Sequence, residues 1–246
     1  MTVGVYGLGR FGSFWAGLLS RACDVRAASR DPHHDVPLGV TRVSEEELFA
    51  LPTVFLCVAI SSMEEVLSRV SHHFTPGALV MDTCSVKVFP ISQMEEALPE
   101  GVSILGTHPM FGPDSARQGT SGLPMILCPS RIGAEDLGRW KGFFSSLGLS
   151  VHVMSADEHD REAAFTQGIA HYIGRVLADL GLSPSPIATV GYKKLLEIVE
   201  QTCNDPWQLF LDLQRYNPHT REMRERLKKS LDSIMEAIGQ GAPDGV

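Results

Sequence analysis

Three features of this 246-residue chain predict a doubly wound α/β domain of Rossmann type followed by an all-helical one. Through the first 154 residues short apolar runs alternate with helix-like stretches, the pattern of a sheet with helices on both faces. A Gly-x-Gly-x-x-Gly motif stands between the first run and the first helix. After Ser155 no strand pattern survives, and apolar residues recur in steps of three and four, the period of one helix face.

The strands expected in order are Val3–Tyr6, Val25–Ala28, Val54–Ala59, Ala78–Asp82, Ser103–Gly106, Met125–Cys128 and Val151–Met154. Several are unbroken apolar runs, as in parallel strands covered on both faces. Between them Arg10–Arg21, Glu45–Ala50, Ser62–Phe74, Val88–Leu98 and Ala134–Leu147 read as helices, and Ser44-x-x-Glu47 opens one as a capping box. Ser155-x-x-Glu158 is a second capping box, and Phe165, Ile169, Tyr172, Ile173, Val176, Leu177 and Leu180 continue its helix to Gly181. Further helices are expected over Ile187–Cys203, Trp207–Tyr216 and His219–Ile238, divided by Asn204-Asp205-Pro206 and Asn217-Pro218, with Gly239–Val246 frayed. The domain boundary falls between residues 154 and 155. A helical segment of about 90 residues has little core of its own, so a homodimer through residues 155–246 is expected.

Composition limits the function. Lys plus Arg is 21 against 29 Asp plus Glu, a net charge of −8. Sequence-independent nucleic-acid binding needs basic surface and is not expected, whereas an anionic small molecule needs only a few converging bases. The longest apolar run, Val54–Ile60, is seven residues, and a membrane helix needs about 20. The N-terminus has no basic, then apolar, leader pattern. The five cysteines, 23, 57, 84, 128 and 203, are odd in number and form no Cys-x-x-Cys pair, which points to reduced thiols in the cytoplasm rather than disulfides or a metal site.

The chemistry begins at Gly7-Leu8-Gly9-Arg10-Phe11-Gly12. Gly7 permits the tight turn, Gly9 lets backbone approach a pyrophosphate, and Gly12 lets helix and strand pack closely. Ala59, at the end of the third expected strand, lies at the same sheet edge. Where an NAD site carries an acid for the ribose, the second strand instead ends in Ser29 and Arg30, followed by Asp31. A hydroxyl and a guanidinium suit a 2′-phosphate, so NADP is expected, with NAD possible through Asp31. Asp82-Thr83-Cys84-Ser85-Val86-Lys87 and Gly106-Thr107-His108-Pro109-Met110-Phe111-Gly112-Pro113-Asp114-Ser115 each follow an apolar strand. A histidine held at such an edge takes a proton near neutral pH.

These two blocks, with His159-Asp160 and Gln167-x-x-x-His171, resemble the prephenate/arogenate dehydrogenases of tyrosine biosynthesis. The Phe-Gly-Pro-Asp-Ser ending and the Gln-x-x-x-His spacing are most similar to the enterobacterial type. The resemblance runs from Gly7 to His171 in family order. It implies that His108 accepts the proton of the ring hydroxyl, that Ser85 bonds near that histidine and hydroxyl, and that His171 and Gln167 face the substrate. It also implies an arginine on the helix before the Asp-Pro break that grips a substrate carboxylate. Here residues 192–206 contain no arginine, and the position falls on Glu200 or Gln201. Lys193 and Lys194, Arg117, Arg215 or a partner subunit are the candidate replacements. His159 reads as part of the helix cap rather than of the chemistry, and His33, His34, His72, His73, His152 and His219 as surface residues without metal-ligand spacing. Two other functions fit the same pattern: dehydrogenation of a related cyclohexadienyl acid, and a catalytically silent cofactor-binding regulator.

Overall fold

The computed structural model describes residues 1–239. Eight strands form one sheet: β1 (Thr2–Tyr6), β2 (Asp24–Ala28), β3 (Val40–Arg42), β4 (Thr53–Leu56), β5 (Leu79–Asp82), β6 (Ser103–Pro109), β7 (Pro124–Pro129) and β8 (Ser150–Val153). Their order is β3-β2-β1-β4-β5-β6-β7-β8. The first six follow the doubly wound dinucleotide-binding order, which reverses direction between β1 and β4 and leaves a crevice at the strands' C-terminal ends.

Two details depart from the sequence expectation. β3 lies in no apolar run, because it is a three-residue edge strand with Thr41 and Arg42 exposed. And β7 runs antiparallel to β6. The connection between them, residues 110–123, contains no crossover helix, and a parallel return requires one.

Helices cover both faces. α1 (Arg10–Leu19) and α5 (Ala134–Ser146) enclose a core of Val3, Val5, Trp15, Phe55, Leu105, Leu127 and Phe144. On the opposite face α2 (Glu45–Phe49), α3 (Met63–Val70) and α4 (Val88–Ala97) bury Phe49, Val54, Leu56, Met63, Val80, Met94 and Ile104. Pure burial on both faces explains why the central strands read as unbroken apolar runs. β4 stops at Leu56, three residues short of the expected end, and residues 57–59 turn toward the crevice before a 3₁₀ turn at Ile60–Ser62.

The remaining helices are α6 (Ala156–Ala163), α7 (Ile169–Asp179), α8 (Val190–Cys203), α9 (Trp207–Tyr216) and α10 (Thr220–Gly239). The capping boxes at Ser44 and Ser155 both form. The single helix expected from Ser155 to Gly181 is interrupted by a π turn at Ala164–Gly168. α8 lies so close to α7 that a Cβ on Gly174 would overlap Thr202 Oγ1. Of the segment expected to fray, Gly239 ends α10, and residues 240–246 lie outside the described residues.

Side chains of the helical half tie it to the sheet. Asp160 accepts hydrogen bonds from the backbone N–H groups of Lys87 (2.7 Å) and Val88 (2.9 Å). Asp212, buried, accepts from the Ser61 N–H (3.1 Å) and hydroxyl (2.8 Å). Arg10 pairs with Asp205 at 3.0 Å.

Candidate active site

A cavity of about 670 Å³ lies at the C-terminal edge of the sheet, walled on the far side by the helical half. Its floor begins at the glycine motif. Gly7 has φ 98°, and a Cβ on Gly12 would overlap the Gly7 carbonyl oxygen. Neither position accepts another residue without moving the strand-to-helix turn. Gly9 caps α1, and a Cβ there meets nothing within 4 Å. Bare backbone thus faces open space at a helix N-terminus, the arrangement that suits a pyrophosphate. Gly9, Arg10, Phe11, Gly12 and Ala59 line the cavity, while Leu8 points into the core.

Above this floor stand His108 and Ser85, each at a strand end. Asp82 joins the two ends: it accepts from the N–H of Cys84 (2.9 Å) and of Thr107 (3.3 Å) and pairs with Lys87, whose ammonium also donates to the Thr107 carbonyl. Asp82 and Lys87 are wholly buried, so this pair fixes the relative position of the Ser85 loop and β6. Gln167, His171 and Gln201 face His108 from the helical half, and Gln167 sits within the π turn. Ser85 Oγ, Gln167 Oε1 and His171 Nδ1 are buried without a hydrogen-bond partner among the described residues. Unsatisfied polar atoms are rare in folded interiors, and three around one cavity mark a ligand-binding surface.

His108 is 3% exposed. Burial, then the neighbouring His159, Lys87 and His171, hold its pKa well below the ordinary histidine value, so the ring is neutral and can accept a proton at physiological pH. Burial likewise lowers His171, against the opposing pull of Asp205, whose carboxylate lies 3.9 Å from its Nε2.

His159 lies in the first turn of α6, as expected, but the cap is not its whole environment: it is 2% exposed, its Nε2 lies 2.8 Å from His108 Nδ1, and its Nδ1 lies 2.8 Å from Asp160 Oδ1. The helix begins at the Ser155 box as expected, but its inward face points at β6. Lys193 and Lys194 are exposed and do not line the cavity. Arg117 pairs with Asp114 at 2.6 Å, and Arg215 is exposed. Arg10 is the one Lys or Arg among the described lining residues, bound to Asp114 and Asp205. Ser29, Arg30 and Asp31 lie outside the cavity: Ser29 Oγ is 3.2 Å from His34 Nδ1, Arg30 pairs with Glu65 at 3.2 Å, and Asp31 accepts from the His33 N–H. No cluster of potential metal ligands occurs among the described residues, and no helix among them is long and apolar enough to cross a membrane.

Comparison with known proteins agrees with this geometry. Residues 24–153 match the family model described as prephenate dehydrogenase, nucleotide-binding domain, and residues 176–243 match one described as TYRAAT1-like, C-terminal domain. The chain is similar to two plant proteins of Arabidopsis thaliana. Arogenate dehydrogenase 2, chloroplastic, is 35% identical over 97% of this chain and 70% of its own length. Arogenate dehydrogenase 1, chloroplastic, is 36% identical over 95% of this chain, which spans only 38% of that relative. In fold, the chain matches the crystal structure of prephenate dehydrogenase from A. aeolicus in complex with hydroxyphenyl propionate and NAD+, with a TM-score of 0.77 at 22% identity, covering 98% of this chain and 91% of that one. With a buried histidine at the crevice, a glycine cradle beside it and matches of this extent, the chain belongs to the prephenate/arogenate dehydrogenase family, the NAD(P)-dependent oxidoreductases of tyrosine biosynthesis.

Proposed function

We propose that this chain oxidises a cyclohexadienol acid, with arogenate preferred to prephenate, by hydride transfer coupled to loss of the ring carboxylate as carbon dioxide. The observation that carries the reading is a buried, neutral His108 on the wall of a cavity whose floor is a glycine cradle. The nicotinamide cofactor, when bound, accepts the hydride. The chain's own residues do the rest. His108 takes the hydroxyl proton, so that the O–H bond breaks as the carbonyl forms. The carboxylate then leaves as its C–C bonding electrons enter the ring, and aromatisation drives the step. Ser85 and His171 hold the hydroxyl and the far side of the substrate, with Gln167 and Gln201 beside them, and the cavity walls supply orientation.

Arogenate differs from prephenate in carrying an ammonium where the latter carries a ketone. The lining holds Asp114, Asp205 and Asp212 against one arginine. Of these acids, Asp205 has the freer oxygen: Arg10 engages its Oδ1, and Oδ2 has only His171 at 3.9 Å.

For the cofactor, NADP is the reading the ribose end supports. Asp31 is turned into its own loop, and no acid stands at Ser29. Arg30 is three-quarters exposed, and its pair with Glu65 is of a kind worth about 0–1 kcal/mol, too little to keep the guanidinium from a phosphate. We assign residues 1–154 to the dinucleotide-binding domain and 155–246 to a helical substrate and dimerisation domain. The five free thiols are consistent with the cytoplasm or another reducing compartment.

The test is turnover of both acids with both cofactors. Arogenate with NADP should give the highest kcat/KM. His108→Asn should keep cofactor binding and lose about 10²–10⁴-fold in kcat; full turnover in that variant would remove the base from His108 and with it the reading.

A further inference from the structure

We propose that His159 and Asp160 fix the tautomer of His108, so that the proton of its neutral ring sits on Nδ1 and the bare lone pair of Nε2 faces the cavity. The inference deepens the dehydrogenase reading above and rests on it for the catalytic consequence alone.

The argument starts at the carboxylate. Asp160 Oδ1 receives the Lys87 N–H at 2.7 Å, and Oδ2 receives the Val88 N–H at 2.9 Å. Both oxygens are therefore acceptors, and His159 Nδ1, 2.8 Å from Oδ1, must be the donor. Two lone pairs at that distance would repel. A neutral imidazole carries one proton, so a His159 protonated on Nδ1 presents a bare Nε2. That atom lies 2.8 Å from His108 Nδ1, which must then donate. The proton of neutral His108 is thus assigned, and its Nε2, without a partner among the described residues, is left as the base.

The sequence of assignments holds only while His159 is neutral. A doubly protonated His159 would donate from Nε2 and force the opposite tautomer on His108. Burial pushes the His159 pKa below the ordinary value, with Lys87 adding to the effect, although Asp160 opposes it. The charged and titratable groups around His108 are His159 on α6, Lys87 ahead of α4 and His171 on α7. Lys87 is neutralised by Asp82 rather than by either histidine. None of these offers His108 Nδ1 another acceptor.

During the reaction the arrangement needs no proton to travel. His108 Nε2 gains the hydroxyl proton, and the resulting imidazolium still donates from Nδ1 to His159. Asp160, one ring farther, stabilises that charge. His159 is a positioning residue, since it acts on the substrate only through His108.

The first test does not involve turnover. In protein labelled with ¹⁵N-histidine at neutral pH, the His108 resonances are identified by their loss in His108→Asn. They should report a proton on Nδ1 and a bare Nε2. A proton on Nε2 overturns the inference, whatever the enzyme's activity. If the tautomer is as assigned and no substrate turns over, the functional reading fails and this assignment stands. The second test compares two variants. His159→Leu removes the acceptor and should lower kcat about 10²-fold or more with KM little changed, as misassigned tautomers do in hydrolytic triads. It should also displace the acidic limb of the kcat/KM profile, because the partner of His108 Nδ1 is lost. His159→Gln, whose Oε1 can take the place of Nε2, should recover most of kcat. Equal losses in the two folded variants with an unmoved acidic limb would show a merely structural role and overturn the proposal. Should His159→Leu fail to fold, the Gln variant and the wild-type spectrum decide it.

Discussion

His108 and His159 are two imidazoles placed where protonation is penalised, and that has a consequence for stability as well as for chemistry. Both pKa values lie below the ordinary value, chiefly through burial. In the unfolded chain each titrates near 6.5. As pH falls through that value, the unfolded state binds protons that the folded state refuses, so stability present above pH 6.5 is lost on acidification. The melting temperature should therefore fall between about pH 7 and pH 5, and less steeply in His108→Asn or His159→Gln. This window is separate from that of Asp114, Asp157 and Glu158, whose pKa values are lowered by hydrogen bonds and whose loss begins only near the carboxylate range. A melting temperature independent of pH over 7 to 5 would contradict the burial argument. At this scale the sequence was informative at strand ends, where Ser85 and His108 stand, and the family resemblance added Gln167, His171 and Gln201 on the helical half; all five line one cavity. His159 was obscured because its neighbour is a capping box, and a cap specifies where a helix starts but not what its inner face meets. Asp82 and Lys87 did carry a signal, an ion pair's worth of charge closing an apolar strand, but their burial was invisible before β6 was paired to β5.

Among the helices, the least readable feature is the π turn at Ala164–Gly168. Apolar steps of three and four run through it without a break, since one extra residue shifts the helix phase by only about 100°. Gln167 within the turn and His171 on α7 just after it line the same cavity. The seam between α7 and α8 is a matter of a single missing Cβ. Gly174→Ala should destabilise the protein by about 1–3 kcal/mol, the range for overfilled interiors, because the new methyl meets Thr202 Oγ1. Thr202→Ala in the same chain should recover part of that loss, a non-additivity readable by chemical denaturation. Additive losses would locate the strain elsewhere. The doubly wound class was accessible from the alternation of runs, but the antiparallel β7 was not, because its apolar content is the same in either direction.

For the molecule as a whole, the exposed apolar residues gather on the helical half: Leu180, Ile187, Val190, Ile234, Met235 and Ile238 are each more than two-thirds exposed except Ile234 at 59%. Patches of that kind mark interfaces. A homodimer through this surface should bury more than about 2,000 Å² in total, as obligate pairs do, and sedimentation at micromolar concentration should show one species of twice the chain mass. A stable monomer would refute it.

Within one chain the halves are held by side chains bonded to backbone, and the Asp160 contact makes two amides unusual. The N–H groups of Lys87 and Val88 are bonded to a carboxylate more than 70 residues away in sequence. Their hydrogen-exchange rates therefore report undocking of the helical half rather than fraying of α4. A ligand that spans the cavity should slow exchange at these two positions more than at later turns of the same helix. Their protection against deuterium becomes a measure of how often the two halves part.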